Sequence, residues 1–178
     1  MGANKSFKFV FKCVTGGSCM KTLIVYYSRT GNTKSVAEKI AYELGAEIEE
    51  VMDKKKRSGA LGFLSGGMDA TIGRKTEIAE TNKNPDDFDL IVVGTPVWSS
   101  SPTPAIRTYL SKHDLTGKKV AVFYTSEGTG NDKAIAKIKE LIPNGDSTEI
   151  LVLPKPNKDK AETDNKIVEW CRRLKSLD

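Results

Sequence analysis

Six consecutive residues, Ser28-Arg29-Thr30-Gly31-Asn32-Thr33, place three hydroxyls, a carboxamide and a glycine between an apolar run and a helical pattern. Small side chains let a backbone curl, so its N–H groups and hydroxyls converge at the positive end of the following helix dipole. That arrangement suits a phosphate. An ordinary helix cap needs only one such residue. The run holds neither G-x-x-x-x-G-K-[ST] nor G-x-G-x-x-G, which excludes a nucleoside-triphosphate loop and a dinucleotide fingerprint. Arg29 has two readings, over the phosphate or out to solvent.

Two further segments have the composition of a ligand edge. Thr95–Pro104 contains Pro96, Val97, Trp98, Ser99 and Ser100. A tryptophan in such a loop is either a hydrophobic plug or a stacking surface for a flat ring. Thr125–Gly130 contains Ser126, Glu127, Gly128, Thr129 and Gly130, small and polar enough to bring backbone amides close to a ligand. A phosphate cradle, an aromatic wall and a second glycine-bearing loop on one sheet edge describe a pocket for a planar phosphorylated cofactor.

These segments meet only if the intervening elements bring them together. Residues 21–27 form a continuous apolar run, the pattern of a strand buried on both faces. Val36, Ala37, Ile40, Ala41 and Leu44 then follow helical spacing, stopped by Gly45. Further strands are predicted over 46–52, 90–94, 119–124 and 147–153, and further helices over 103–112, 134–142 and 161–177. Alternating strands and helices imply a parallel sheet with right-handed crossovers and helices on both faces. In such sheets ligands bind outside the carboxyl ends of the strands, where strand order reverses. All three candidate segments leave strands at that edge. The connection from 53 to 88 is long, and its Leu61, Phe63, Leu64, Met68 and Ile72 are interspersed with glycines. Its apolar content predicts an ordered flap over something.

Composition narrows the functions. The chain has 178 residues, about one domain, with 38% hydrophobic and 29% charged residues. Its net charge of +5 falls to a mild excess once Lys5, Lys8 and Lys12 of the leader are set aside. That is no nucleic-acid footprint. Lys54-Lys55-Lys56-Arg57 reads as a solvated loop before a docking patch. Three cysteines and one histidine, His113, make neither a disulfide framework nor a metal site, and no run is long enough to span a bilayer. No side chains are assigned a catalytic role, so any chemistry comes from a bound group. Residues 1–19 lack a signal-peptide core and are expected to be a disordered or artificially added extension. Residues 20–178 are expected to be one domain, in the cytoplasm.

Residues 20–154 resemble the flavodoxin family, particularly its short archaeal and bacterial members. The likeness rests on the [ST]-x-T-G-x-T loop (Ser28, Thr30, Gly31, Thr33) within Ile24–Val36, on Leu90–Trp98 and on Thr125–Gly130. It implies an α/β three-layer sandwich with a five-stranded parallel sheet of order 2-1-3-4-5 and noncovalent FMN. By the same resemblance Ser28 to Thr33 hold the phosphate, Pro96 to Ser100 border the flavin with Trp98 stacked on it, and Ser126 to Gly130 touch its pyrimidine edge. Glu127 either opposes reduction of the ring or faces solvent. The implied function is electron transfer between iron–sulfur or flavoprotein partners, by a monomer or weak homodimer that binds neither nucleic acid nor membrane. The alternative is an NAD(P)H-dependent FMN oxidoreductase acting on quinones or similar acceptors. Two departures stand out. The chain is not acidic, unlike most carriers of the family, so its partner surface differs. Ser99-Ser100-Ser101 also stands where such carriers commonly place a glycine. A positive φ is costly for serine, which implies a stiffer turn beside the ring.

Overall fold

The computed structural model describes residues 20–55, 66–128, 131–142 and 149–177. The leader, the first part of the flap, Thr129 and Gly130 therefore lie outside the described residues. Five parallel strands run β1 (Thr22–Tyr26), β2 (Glu47–Glu50), β3 (Leu90–Pro96), β4 (Lys119–Ser126) and β5 (Glu149–Pro154). Their order in the sheet is β2-β1-β3-β4-β5, so the chain reverses direction across the sheet between β1 and β3.

Period-two alternation decides what each face buries. Leu23 and Val25 of β1, Ile91 and Val93 of β3, and Val122 and Tyr124 of β4 point to one side. There they meet Ala105, Ile106 and Tyr109 of α3 (Pro104–Lys112) and Ala134 and Ile138 of α4 (Asn131–Lys139). Ile24, Tyr26, Val92 and Phe123 point to the other. Val36, Ala37 and Ile40 of α1 (Asn32–Leu44) and Ile167, Trp170 and Leu174 of α5 (Lys160–Lys175) cover that side. Because both faces are covered, the strands read as continuous apolar runs. Cys171 is a buried member of this second layer, and burial pushes its thiol up to about 12. It behaves as a small hydrophobe.

The expected boundaries shift at the ligand edge. The helix predicted from Val36 begins at Asn32, directly inside the hydroxyl-rich run. Strand β4 extends to Ser126, two residues past its predicted end, because Thr125 and Ser126 pair with Leu153 and Pro154. Helix α4 starts at Asn131 and stops at Lys139. In edge strand β2, Ile48 faces outward while Glu49 is buried and accepts from the Asn82 N–H at 3.2 Å. The segment returning to β3 folds over Glu49 and reverses the simple alternation.

That return is ordered where described. Asp53 bridges antiparallel to Ile78, with Lys54 N–H donating to Glu77 O and Ala79 N–H to Met52 O. A short helix, α2, occupies 66–71. Among the described residues no helix is long and apolar enough to cross a membrane.

Candidate functional site

At the carboxyl edge of β1 the chain turns through Gly31, whose φ of 91° and ψ of −16° lie in the left-handed region. Only glycine enters it at no cost. This is what closes the curl. Ser28 Oγ accepts from the N–H groups of Gly31 and Lys34, both at 3.2 Å. Ser35 N–H donates to Gly31 O at 2.9 Å. The amides of Asn32 and Thr33, first in α1, have no acceptor among the described residues. They are the orphan donors that a helix start presents, and they lie beside the exposed Thr30.

The loop is braced from two neighbouring strands. Thr33 is 2% exposed, and its hydroxyl bonds the Thr125 hydroxyl at 2.8 Å. Its side chain therefore ties the loop to β4, which leaves its backbone N–H as the group free for an anion. Asn32 Oδ1 accepts from Asn157 Nδ2 at 2.8 Å, and Asn32 Nδ2 donates to Glu127 Oε1 at 3.4 Å. Glu127 is exposed, yet its carboxylate reaches the phosphate loop. Neither sequence reading of this residue, ring neighbour or solvent-facing acid, included that contact.

Beyond β3, Trp98 and Ser101 exchange two backbone hydrogen bonds, 2.9 and 3.0 Å, around Ser99 and Ser100. Both serines have positive φ, 47° and 54°. This is the pattern of a type I′ hairpin turn, which usually employs Asn and Gly. The cost anticipated for serine is thus already built into the turn. Lys137 Nζ donates to Ser101 Oγ at 2.6 Å and anchors it from α4. The Trp98 ring meets Tyr27 edge-on at 5.6 Å, and the Arg29 guanidinium lies over it at 5.5 Å. Arg29 is exposed, and its contact with the Trp98 ring was part of neither sequence reading.

Between these loops lies a cleft of about 560 Å³, within the size range of small-molecule sites. Of the candidate residues, Arg29, Thr30, Asn32, Thr33, Pro96, Val97, Trp98, Ser99, Ser126 and Glu127 line it. Ser28, Gly31, Ser100 and Gly128 do not; the first two shape the loop from behind. The lining also includes Gly67, Met68, Thr71 and Ile72 of the flap, and Pro156 after β5. The apolar content of the flap pointed to an ordered cover, but not to which residues face inward. No local signal marked Pro156 or Asn157. They reach the site because β5 pairs with β4, and the Lys155 N–H donates to Ser126 O at 2.7 Å.

The arrangement fits a flat molecule ending in a phosphate. Amides without an acceptor among the described residues stand at a helix start, and a mostly apolar cleft holding one tryptophan lies beside them.

The chain is also similar to known proteins. A family model described as "Flavodoxin" matches residues 21–174. A flavoprotein of Lactobacillus acidophilus, solved in complex with FMN, is 32% identical, with a TM-score of 0.62 over 82% of this chain and 97% of that one. Two structures share the fold at lower identity. One is a Bacteroides eggerthii flavoprotein, at 22% and TM-score 0.70 over 89% and 99% of the two chains. The other is flavodoxin 2 of Bacillus cereus, at 21% and TM-score 0.56 over the same shares. No curated protein matches. With the family model spanning nearly the whole described sheet and its helices, the chain belongs to the flavodoxin family.

Proposed function

We propose that the chain binds FMN noncovalently in this cleft and serves as an electron carrier between redox proteins. One observation carries the reading. Two amides at the start of α1, without an acceptor among the described residues, and the Trp98 wall open into one cleft at the point where strand order reverses. The amides of Asn32 and Thr33, with the Thr30 hydroxyl, are the groups that would hold the phosphate. Pro96 to Ser99, Trp98 foremost, would border the ring. Ser126 and Glu127 would face its polar edge. FMN bound there supplies a ring that accepts and releases electrons. The chain's own part is to grip the phosphate, fix the ring against Trp98 and limit water around it.

Membership of the family and the FMN complex of the L. acidophilus relative support the cofactor. The carrier role rests on the absence of any nicotinamide fingerprint in the sequence. Partners in this reading are iron–sulfur proteins or flavoproteins. A net charge of +5 suits partner faces that are acidic.

Purified protein should turn yellow on addition of FMN, with flavin fluorescence titrating to one equivalent. The holoprotein should accept electrons from a chemical reductant and oxidise NADPH hardly at all. Failure to take up FMN would refute the cofactor. Rapid NADPH oxidation without a partner would replace the carrier by an oxidoreductase.

A further inference from the structure

Helix α2 presents an anomaly that phosphate binding and Trp98 do not absorb. It is firmly placed. Asp69 is buried, with its carboxylate 3.2 Å from Lys55 Nζ and 3.6 Å from an Arg74 guanidinium nitrogen, and Ala70 is fully buried beside it. A Cβ on Gly67 would come within 2.9 Å of Ser99 Oγ, so the helix abuts the turn that carries Trp98. Yet Met68 of this anchored element and Ile72 directly after it stand 69% and 62% exposed, and both line the cleft. Anchored apolar side chains turned into a cavity mark a surface that a ligand completes.

We infer that Met68 and Ile72 form a specificity wall for the methylated benzenoid edge of the flavin. The inference rests on the reading that the cleft binds FMN, and it adds residues for the ring edge opposite the one that the family resemblance gives to Ser126 to Gly130. The cleft has two chemically distinct walls. Ser126 and Glu127 on the β4 side offer a hydroxyl and a carboxylate, which match the carbonyl and imide edge of the ring. Met68 and Ile72 on the α2 side offer only hydrocarbon and a thioether, which match its two methyl groups. Reversing the ring would bury imide polar atoms against Met68 and Ile72, which offer no strong donor or acceptor, and beside Thr71, whose hydroxyl donates to Gly67 O at 2.8 Å, an arrangement that costs free energy. The phosphate cannot sit at α2, because its donors lie at the start of α1.

The test uses three ligands, FMN, riboflavin and the FMN analogue lacking both ring methyls, on the full chain and on Met68→Ala/Ile72→Ala. Each buried methyl contributes about fourfold in affinity, so the full chain should prefer FMN to the demethylated analogue by roughly sixteenfold. In the double variant that preference should shrink to near unity, while FMN and riboflavin weaken by the same factor. Both side chains are exposed, so the fold should survive, and an unchanged melting temperature without ligand checks this. As a positioning control, Asp69→Asn removes the clamp without touching the cleft and should lower the preference partway. An equal preference for the methylated ring in the full chain and the double variant would overturn the wall while leaving FMN binding standing. A full chain that binds neither FMN nor riboflavin would overturn the parent reading and this one together.

Discussion

Replacing Gly31 with alanine isolates the conformational demand of the phosphate loop. An alanine Cβ at this position would meet no atom within 4 Å, so crowding contributes nothing. What remains is φ of 91°, where a side chain costs about 1–2 kcal/mol. That cost can surface in two places. If the loop keeps its curl, the strain lowers the stability of the ligand-free protein by about 2–8 °C at 2–4 °C per kcal/mol, and the affinity for FMN is unchanged. If the loop relaxes, the ligand-free stability is kept. The curl must then be restored on binding, and the affinity falls by roughly 5–30-fold.

Hydrogen bonds on both sides of Gly31, from its N–H to Ser28 Oγ and from Ser35 N–H to its carbonyl, favour the first limit. Either way the free energy from the unfolded chain and free FMN to the complex rises by the same amount. Paired thermal melts without ligand, and a fluorescence titration with FMN, measure both halves of that sum. Gly31→Asn should lie between glycine and alanine, since asparagine tolerates the left-handed region best among the others. Should melting temperature and affinity both stay at their original values in Gly31→Ala, the bound loop does not use this conformation, and the amide-cradle account fails.

Further outcomes follow from other positions. In Gly94→Ala the new methyl would come within 2.2 Å of Phe123 Cζ and 2.9 Å of Tyr26 Cβ. Overpacking of about 1–3 kcal/mol should lower the melting temperature by several degrees, and Phe123→Leu in the same chain should recover part of it. Ser100→Gly should raise the melting temperature by about 1–4 °C, because a glycine suits φ of 54° better than serine even after its own entropy cost; a decrease would mean that the turn gains something from this serine. Burial of His113, with Lys112 beside it, holds its imidazole below the usual 6.5, and Asp86 offsets part of the effect. The folded state therefore takes up the proton less readily than the unfolded one. Stability should fall as pH drops through about 6.5, and His113→Gln should flatten that part of the profile in thermal melts at about pH 7.5 and pH 5.

Much of the fold was legible because its signals are local. The run at 21–27 read as a strand buried on both faces and those at 90–94 and 119–124 as strands, and each became one with helices on both sides. Gly45 ends α1 with φ of 63°, as a C-terminal glycine should. Edge strand β2 was harder. Its acids suggested a solvent face, but Glu49 is buried by a segment more than thirty residues further along, and its own neighbours carry no trace of that contact.

The site divides along the same line. What each loop would do chemically was legible from residue types, since amides at a helix start and a tryptophan at a sheet edge need no distant information. How the loops are fixed was not. The Thr33 hydroxyl bonds that of Thr125, ninety-two residues away, a contact its own neighbours do not signal. Asn32 is held between Glu127 and Asn157, contributed by the loops after β4 and β5. These contacts exist because β4 and β5 lie side by side in the sheet, and parallel pairing of strands places no marker in the intervening sequence. The consequence is physical. The curl at Gly31 needs no cationic side chain to stay closed, because Thr125 of β4 and the Glu127 and Asn157 side chains from the loops after β4 and β5 brace it before any anion arrives. On the proposed placement, a cradle braced in this way would lose little conformational entropy on binding, so a few backbone dipoles would hold a phosphate that other folds grip with lysine.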